Sequence, residues 1–273
     1  MARTAQARKS ANVPATRSEK LPAVAQDFFD GPDGFGGVDS DDIALPRFTI
    51  LQALSPQCNK RSGDYVVGAE PGMIINNATN ELYDELPVIV AAYQRRHVEW
   101  VPRVRGGGLV KDHGEDGSIL DACVQSEDDG SYWTGEHAGE GNNLVITGTW
   151  YVLNPKTMSS GFIAMGNTHF TASRKIMAAM RDTMIYIESL DKFRPAPLYA
   201  KVWTLSARER KNDKGEWFTW KATPGEWAYA IPTASQVIPI VRKIQTDLEG
   251  AGIIIDMAVG EEPQESDSTD AAM

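Results

Sequence analysis

The chain has little of what catalysis or cross-linking needs. Two cysteines, Cys58 and Cys123, stand far apart in 273 residues with no CxxC partner. That argues against a disulfide framework or a zinc ribbon and fits a reducing compartment with inert thiols. Four histidines, His97, His113, His137 and His169, are scattered without an HxxxH or HExxH pairing, so a metal site would need ligands from distant segments. No apolar run approaches the ~20 residues of a membrane-spanning helix. The first residues lack the apolar core of a secretory signal, so neither export nor a membrane partner is expected. Gly106-Gly107-Gly108 is not followed by the Lys-Ser/Thr of a phosphate-binding loop and reads as a flexible strand exit. No G-x-S-x-G or Cys/His nucleophile signature appears. Lacking a nucleophile, a metal set and a cofactor loop, the chain is expected to be a binding protein, not an enzyme, and to need no cofactor.

Positive charge is missing from two long stretches. Residues 21–42 hold six aspartates and no Lys or Arg; residues 244–273 hold eight acidic residues and no basic one. The net charge of −10 therefore belongs to the ends, and the segment between them is balanced and free to carry a basic surface. Acidic clusters such as Asp39-Asp41-Asp42 and Glu127-Asp128-Asp129 read as solvated loops, not as two-metal nuclease sites.

The pattern predicts a disordered tail over 1–42, one domain over 43–250 and an acidic tail over 251–273. Within the domain, 73–77 and 81–83 read as paired short strands, 87–101 and 144–153 as long strands, and 162–165 as the hairpin partner of the latter. Alternation along 87–101 puts Tyr93, Arg95, His97 and Glu99 on one face and Arg96, Val98 and Trp100 on the other. Residues 111–143 read as an excursion from the sheet. Apolar residues at Ile176, Met177, Met180, Met184 and Ile187 predict a helix over 171–190, capped by Thr171 or Ser173, with Arg174, Lys175 and Arg181 exposed. Strands at 198–205 and 216–222 flank a turn at 212–215. A last helix over about 233–248 must be kinked by Pro239 or start after it. The sum is a mainly β fold with two helices: an OB-like antiparallel barrel with insertions and disordered tails.

What is abundant is tryptophan between cations. Four of seven tryptophans, Trp203, Trp217, Trp220 and Trp227, fall within 199–227, interleaved with Lys201, Arg208, Arg210, Lys211, Lys214 and Lys221. Bases stack on aromatic faces and phosphates need neutralising, so this mixture suits single-stranded nucleic acid; the plain alternative is a hairpin whose indoles fill a core. A half-buried strand cannot expose both Trp217 and Trp220, so Trp220 is assigned to the core and Trp203 and Trp217, with Tyr199, to stacking. A second surface is expected at the end of the 87–101 strand, from Tyr93, Arg95, Arg96, Trp100, Arg103 and Arg105, forming the groove's other wall. Trp150-Tyr151 is a third, with one ring, Trp150, offered outward. In the tail, Glu261, Glu262, Glu265, Asp267 and Asp270 are expected to compete with nucleic acid for the basic groove and to meet partner proteins when displaced. Self-association as a homodimer stays open, as does RNA in place of DNA.

Three linked blocks carry a family resemblance. They are Leu45-Pro-Arg-Phe-Thr-Ile-Leu-Gln-Ala-Leu-Ser-Pro-Gln57 with Gly68-Ala-Glu-Pro-Gly-Met73; Tyr93-Gln-Arg-Arg-His-Val-Glu-Trp-Val-Pro-Arg103 with Gly106-Gly-Gly108; and Tyr199-Ala-Lys-Val-Trp-Thr-Leu205 with Asn212-Asp-Lys-Gly-Glu-Trp-Phe-Thr-Trp220. Together, over about 43–230, they resemble tailed-phage single-stranded DNA-binding proteins. The resemblance implies an OB-type fold and a role in phage DNA replication, recombination and repair in the cytoplasm of the infected bacterium. It also implies an acidic tail that contacts replication proteins such as polymerase or helicase/primase. The chain departs from the better-studied members by ending Ala271-Ala-Met273 instead of in an aromatic residue. Two other classes remain open: a virion or scaffold protein, and a metal-dependent nuclease.

Overall fold

The apolar run that begins at Pro87 becomes part of the central strand β4 (Glu85–Trp100), after three short strands: β1 (Phe48–Ile50), β2 (Ile74–Asn76) and β3 (Leu82–Tyr83). The computed structural model describes residues 45–212 and 215–250, all within a unit that spans Ser40–Met273. The expected tails at 1–42 and 251–273 lie outside the described residues, including the tail residues Glu261, Glu262, Glu265, Asp267 and Asp270; so does Lys214. The fold is mainly β, and its large antiparallel sheet curls into a half-barrel, in keeping with an OB-like architecture.

Further along come β5 (Leu109–Asp112), β6 (Val124–Gln125), β7 (Tyr132–Trp133), β8 (Asn143–Leu153) and β9 (Ser160–Met165). Helix α1 (Asn167–Arg181) follows, then a separate two-stranded hairpin, β10 (Met184–Ile187) and β11 (Lys192–Pro195). The long hairpin β12 (Lys201–Asn212) and β13 (Gly215–Trp227) precedes α2 (Ala234–Glu249). The eight-stranded sheet runs β13-β12-β4-β8-β7-β6, with β5 on β4 and β9 on β8; β1, β2 and β3 form a small sheet of their own.

Both faces of the β4–β8 pair are buried. On one, Leu86, Val88, Val90, Trp150 and Val152 pack with Trp203 and Leu205, under Phe48 and Ile50 of β1 and Ile176 and Met180 of α1. On the other, Ile89, Ala91, Val98, Trp100, Tyr151 and Leu153 pack against Val237, Val241 and Ile244 of α2. A sheet covered on both sides reads as continuous apolar sequence instead of strict alternation. A bulge between Val90 and Ala92, where the register with β8 shifts, carries the β4 pattern from one face to the other.

Helix α1 is seated by two contacts. Trp150 Nε1 donates to Ser173 Oγ at 2.9 Å, and both residues are buried. Gly148 lies beneath: a Cβ there would sit 2.5 Å from Ser173 Oγ, so only glycine lets the helix come this close. Ser173 is thus a core partner and not a cap; the helix starts at Asn167, with Gly166 as its N-cap and no side-chain cap bond.

Several expected boundaries are corrected. The helix expected over 171–190 ends at Arg181, and Met184-Ile-Tyr-Ile187 pairs with Lys192–Pro195 as a hairpin. Ile187 fits helical spacing, but a short apolar run with β-branched residues fits a strand equally well, and strand pairing prevails here. The 111–143 excursion contributes β6 and β7 to the main sheet, and β5 reaches into it. Helix α2 runs unbroken through Pro239, which is exposed, so the carbonyl left without its N–H partner faces solvent while Val237, Val241 and Ile244 anchor the buried side. No helix among the described residues is long and apolar enough to cross a membrane.

His169, in the first turn of α1, has Nδ1 sealed from solvent with no hydrogen-bond partner among the described residues. Burial, helped by the nearby Arg47 charge, lowers its pKa to about 4. The folded chain keeps it neutral while the unfolded chain protonates it near ~6.5, so its stabilising contribution is whole above pH 6.5 and is lost as pH falls towards 4. Urea unfolding at pH 7 and at pH 4.5 should differ by on the order of 2 kcal/mol more in the native chain than in His169→Gln. Equal pH dependence in the two proteins would contradict this assignment.

Candidate nucleic-acid interface

The β12–β13 hairpin outgrows the sheet. β12 pairs with β4 from Val202↔Ile89 to Ser206↔Glu85, and beyond that only β13 accompanies it to the turn at Asn212↔Gly215. A free two-stranded ribbon is marginally stable in water, and here a side chain from elsewhere holds it. Gln52, itself buried, accepts the Phe218 N–H at 2.9 Å and donates to the Phe218 carbonyl at 3.0 Å, occupying the outer edge of β13 as a neighbouring strand would. Gly72 (φ +89°) meets the Phe218 ring: a Cβ there would lie 2.9 Å from it.

Held this way, the hairpin faces α1 across a groove of about 530 Å³. Helix α1 contributes Thr168, Thr171, Lys175 and Ala179; the hairpin contributes Arg208, Arg210, Lys211, Trp217, Thr219, Trp220 and Lys221. Among the described residues lining it, five are cations and none is acidic. Cross-strand pairing places Arg210 opposite Trp217 and Arg208 opposite Thr219. Trp220 is buried in the core, as alternation predicts, while Trp217 is partly exposed. The Trp217 indole N–H is shielded from solvent and has no hydrogen-bond partner among the described residues. Lys211 is ion-paired with Glu216, an interaction that raises its pKa; Arg208 and Lys221 are exposed.

The structure thus brings together Arg208, Arg210, Lys211, Trp217 and Lys221 and removes other expected rings. Trp203 is 2% exposed, Trp150 2% and Trp100 8%, so none offers a stacking face. The reason is the second covered face: each indole turned from one core enters the other. Tyr151, beside Trp150, is buried too, so neither ring of that pair points outward. Tyr93 packs edge-on against Trp150 at 4.8 Å, and Tyr199 is half-buried against the α2-side core.

The Arg95–Arg105 segment is not the opposite wall. It lies at the far end of β4 from the edge shared with β12; Arg95 is ten residues beyond Glu85, roughly 30 Å of extended chain at ~3.3 Å per residue. One of its arginines is also held by an acidic partner. Arg96 Nε is 2.8 Å from Asp112, and Glu99 takes hydrogen bonds from Asn142 at 2.7 Å and His113 at 2.9 Å. Burial pushes the Glu99 carboxyl upward, but these bonds and nearby Lys111 outweigh it and hold its pKa below the ordinary value. Arg95, Arg103 and Arg105 are exposed.

The residue missed as a wall is Lys175. Its exposure on a helix is legible in sequence, but nothing local says that this helix crosses beside a hairpin thirty residues later. Lys201, expected among the groove's cations, instead covers the Trp227 ring at 4.7 Å. Among the described residues no group of three or more His, Cys, Asp or Glu side chains is arranged to hold a metal ion.

The curled antiparallel sheet, in keeping with an OB-like architecture, carries a cation-lined groove floored by aromatic rings. A family model described as Pam3 phage gp34-like protein matches residues 14–241, and the chain belongs to that bacteriophage family. No curated protein and no solved structure matches the chain.

Replacing Gln52 with Ala leaves the Phe218 N–H and carbonyl unpaired and should cost about 1–3 kcal/mol. Hydrogen exchange at the Phe218 amide should quicken selectively. Exchange there unchanged from the native chain would show that Gln52 does not hold the hairpin.

Proposed function

We propose that the chain binds single-stranded DNA without sequence preference in the groove between α1 and the β12–β13 hairpin, and serves phage DNA replication, recombination and repair. The observation that carries this reading is five cations and a partly exposed indole, with no acidic side chain, among the described residues lining one groove of a chain whose net charge is −10. Against that background a general attraction to polyanions is not expected, so a local concentration of positive charge needs its own ligand. Backbone phosphates would meet Lys175, Arg208, Arg210 and Lys221, and a base would stack on Trp217, worth ~1–3 kcal/mol irrespective of its identity. Membership of a phage family supports the setting, the cytoplasm of an infected bacterium. The acidic C-terminal tail would compete with DNA for the groove and, once displaced, reach replication proteins; this part rests on charge alone.

Titration with oligo-dT at low salt should quench tryptophan fluorescence, and Trp217→Phe should remove most of that quench. The log–log salt dependence should have a slope of about −3, from ~0.7 per phosphate over four contacts. The double substitution Lys175→Glu/Arg208→Glu should weaken binding at least ~10-fold and flatten the slope. No quenching at low salt contradicts the reading, and tighter binding of a matched RNA redirects it to RNA.

A further inference from the structure

We propose that Trp227 and Tyr229, together with Lys201, form a second stacking station for the same strand, taking a nucleobase on the open face of Tyr229. This rests on the groove reading above. The two rings are stacked, 5.9 Å between centroids and 19° between planes, and Lys201 Nζ lies 4.7 Å from the Trp227 centroid. Tyr229 is nonetheless 65% exposed, so this layering of two rings, with a cation over the indole, already presents open aromatic surface. A further flat π-system is what such a layering accepts, and a base qualifies.

The station is rigid for a reason legible in the backbone. Ala228, between the rings, is buried in the α2-side core and donates its N–H to the Ala200 carbonyl at 2.8 Å. The Ala230 N–H closes the turn onto the Trp227 carbonyl at 2.9 Å. The backbone carrying both rings is therefore pinned before any ligand arrives, which lowers the ordering cost of binding.

Its position continues the groove. Lys175 and Ala179 of α1 line the groove, and one residue further on Met180, with Thr183, lines a small cleft whose other side is Lys201 and Trp203. The helix wall of the groove thus ends beside the lysine of the station. Trp217 and Trp227 lie ten residues apart on β13, roughly 33 Å at ~3.3 Å per residue. That span falls within the reach of the ~4–16 nucleotides that one such fold covers. Glu226, exposed on the approach to the turn, is an acidic neighbour, so the phosphates should pass on the Lys201 side.

The test is Tyr229→Ala, with Tyr229→Phe as the rescue, measured by fluorescence anisotropy of labelled (dT)4 and (dT)16 on the full chain. In Tyr229→Ala the (dT)16 affinity should fall ~5- to 100-fold, while (dT)4, which the groove alone accommodates, should bind as to the native chain. Tyr229→Phe should restore (dT)16 binding to within about twofold, since the stacking ring is kept. Unchanged (dT)16 affinity in Tyr229→Ala, or an equal loss for both lengths, overturns the station while leaving the groove standing. A native chain that binds neither oligomer overturns both.

Discussion

Covering the central sheet on both faces is the constraint from which the candidate site follows. The β4–β8 pair has α1 and the small sheet on one side and α2 on the other, so every aromatic residue along it is consumed by packing. Trp100, Trp150, Tyr151 and Trp203 have no free face. An indole of this size buried in a core contributes several kcal/mol, on the order of 3–5 when truncated. Rings available to a ligand can therefore occur only where the sheet runs past its covers. The long hairpin does so at both ends, with Trp217 near its turn and Trp227 where it leaves the sheet.

Electrostatics then separates the two arginine-rich regions. At the far end of β4, Arg96 is matched by Asp112, and Glu99 is held ionised by Asn142 and His113. Those charges make a local network. In the groove, Lys211 is answered by Glu216, whereas no acidic side chain joins Lys175, Arg208, Arg210 and Lys221 in its described lining. Arg96 is thus absorbed in a local network, whereas the described lining of the groove includes no acidic side chain.

How much of this was legible in the chain depends on which distances the pattern encodes. Strands over 87–101, 144–153 and 162–165 are local properties of apolar runs, and β4, β8 and β9 lie there. The burial of Trp220 against the partial exposure of Trp217 follows from period-2 geometry alone. Alternation failed at Trp203 and Trp150 because it predicts two faces without saying whether both are covered. That depends on α2, some thirty residues downstream of Trp203, and on α1. The helix expected over 171–190 stops at Arg181 because Met184-Ile-Tyr-Ile187 satisfies both periods, and only its partner Lys192–Pro195 decides between them. Lys175 was visible as an exposed helical cation, but its neighbourhood with Arg208 and Trp217 is a tertiary fact. So is the pinning of Phe218 by Gln52, which is 166 positions away.

The central claim is that the ligand lies between α1 and the β12–β13 hairpin, not along the arginines at the end of β4. Hydrogen–deuterium exchange of the full chain with and without saturating (dT)16 tests it most directly. The account predicts new protection in 168–179 and 208–221, with 95–105 unchanged. Protection confined to 95–105, or absent from the hairpin while the oligomer is bound, would contradict it.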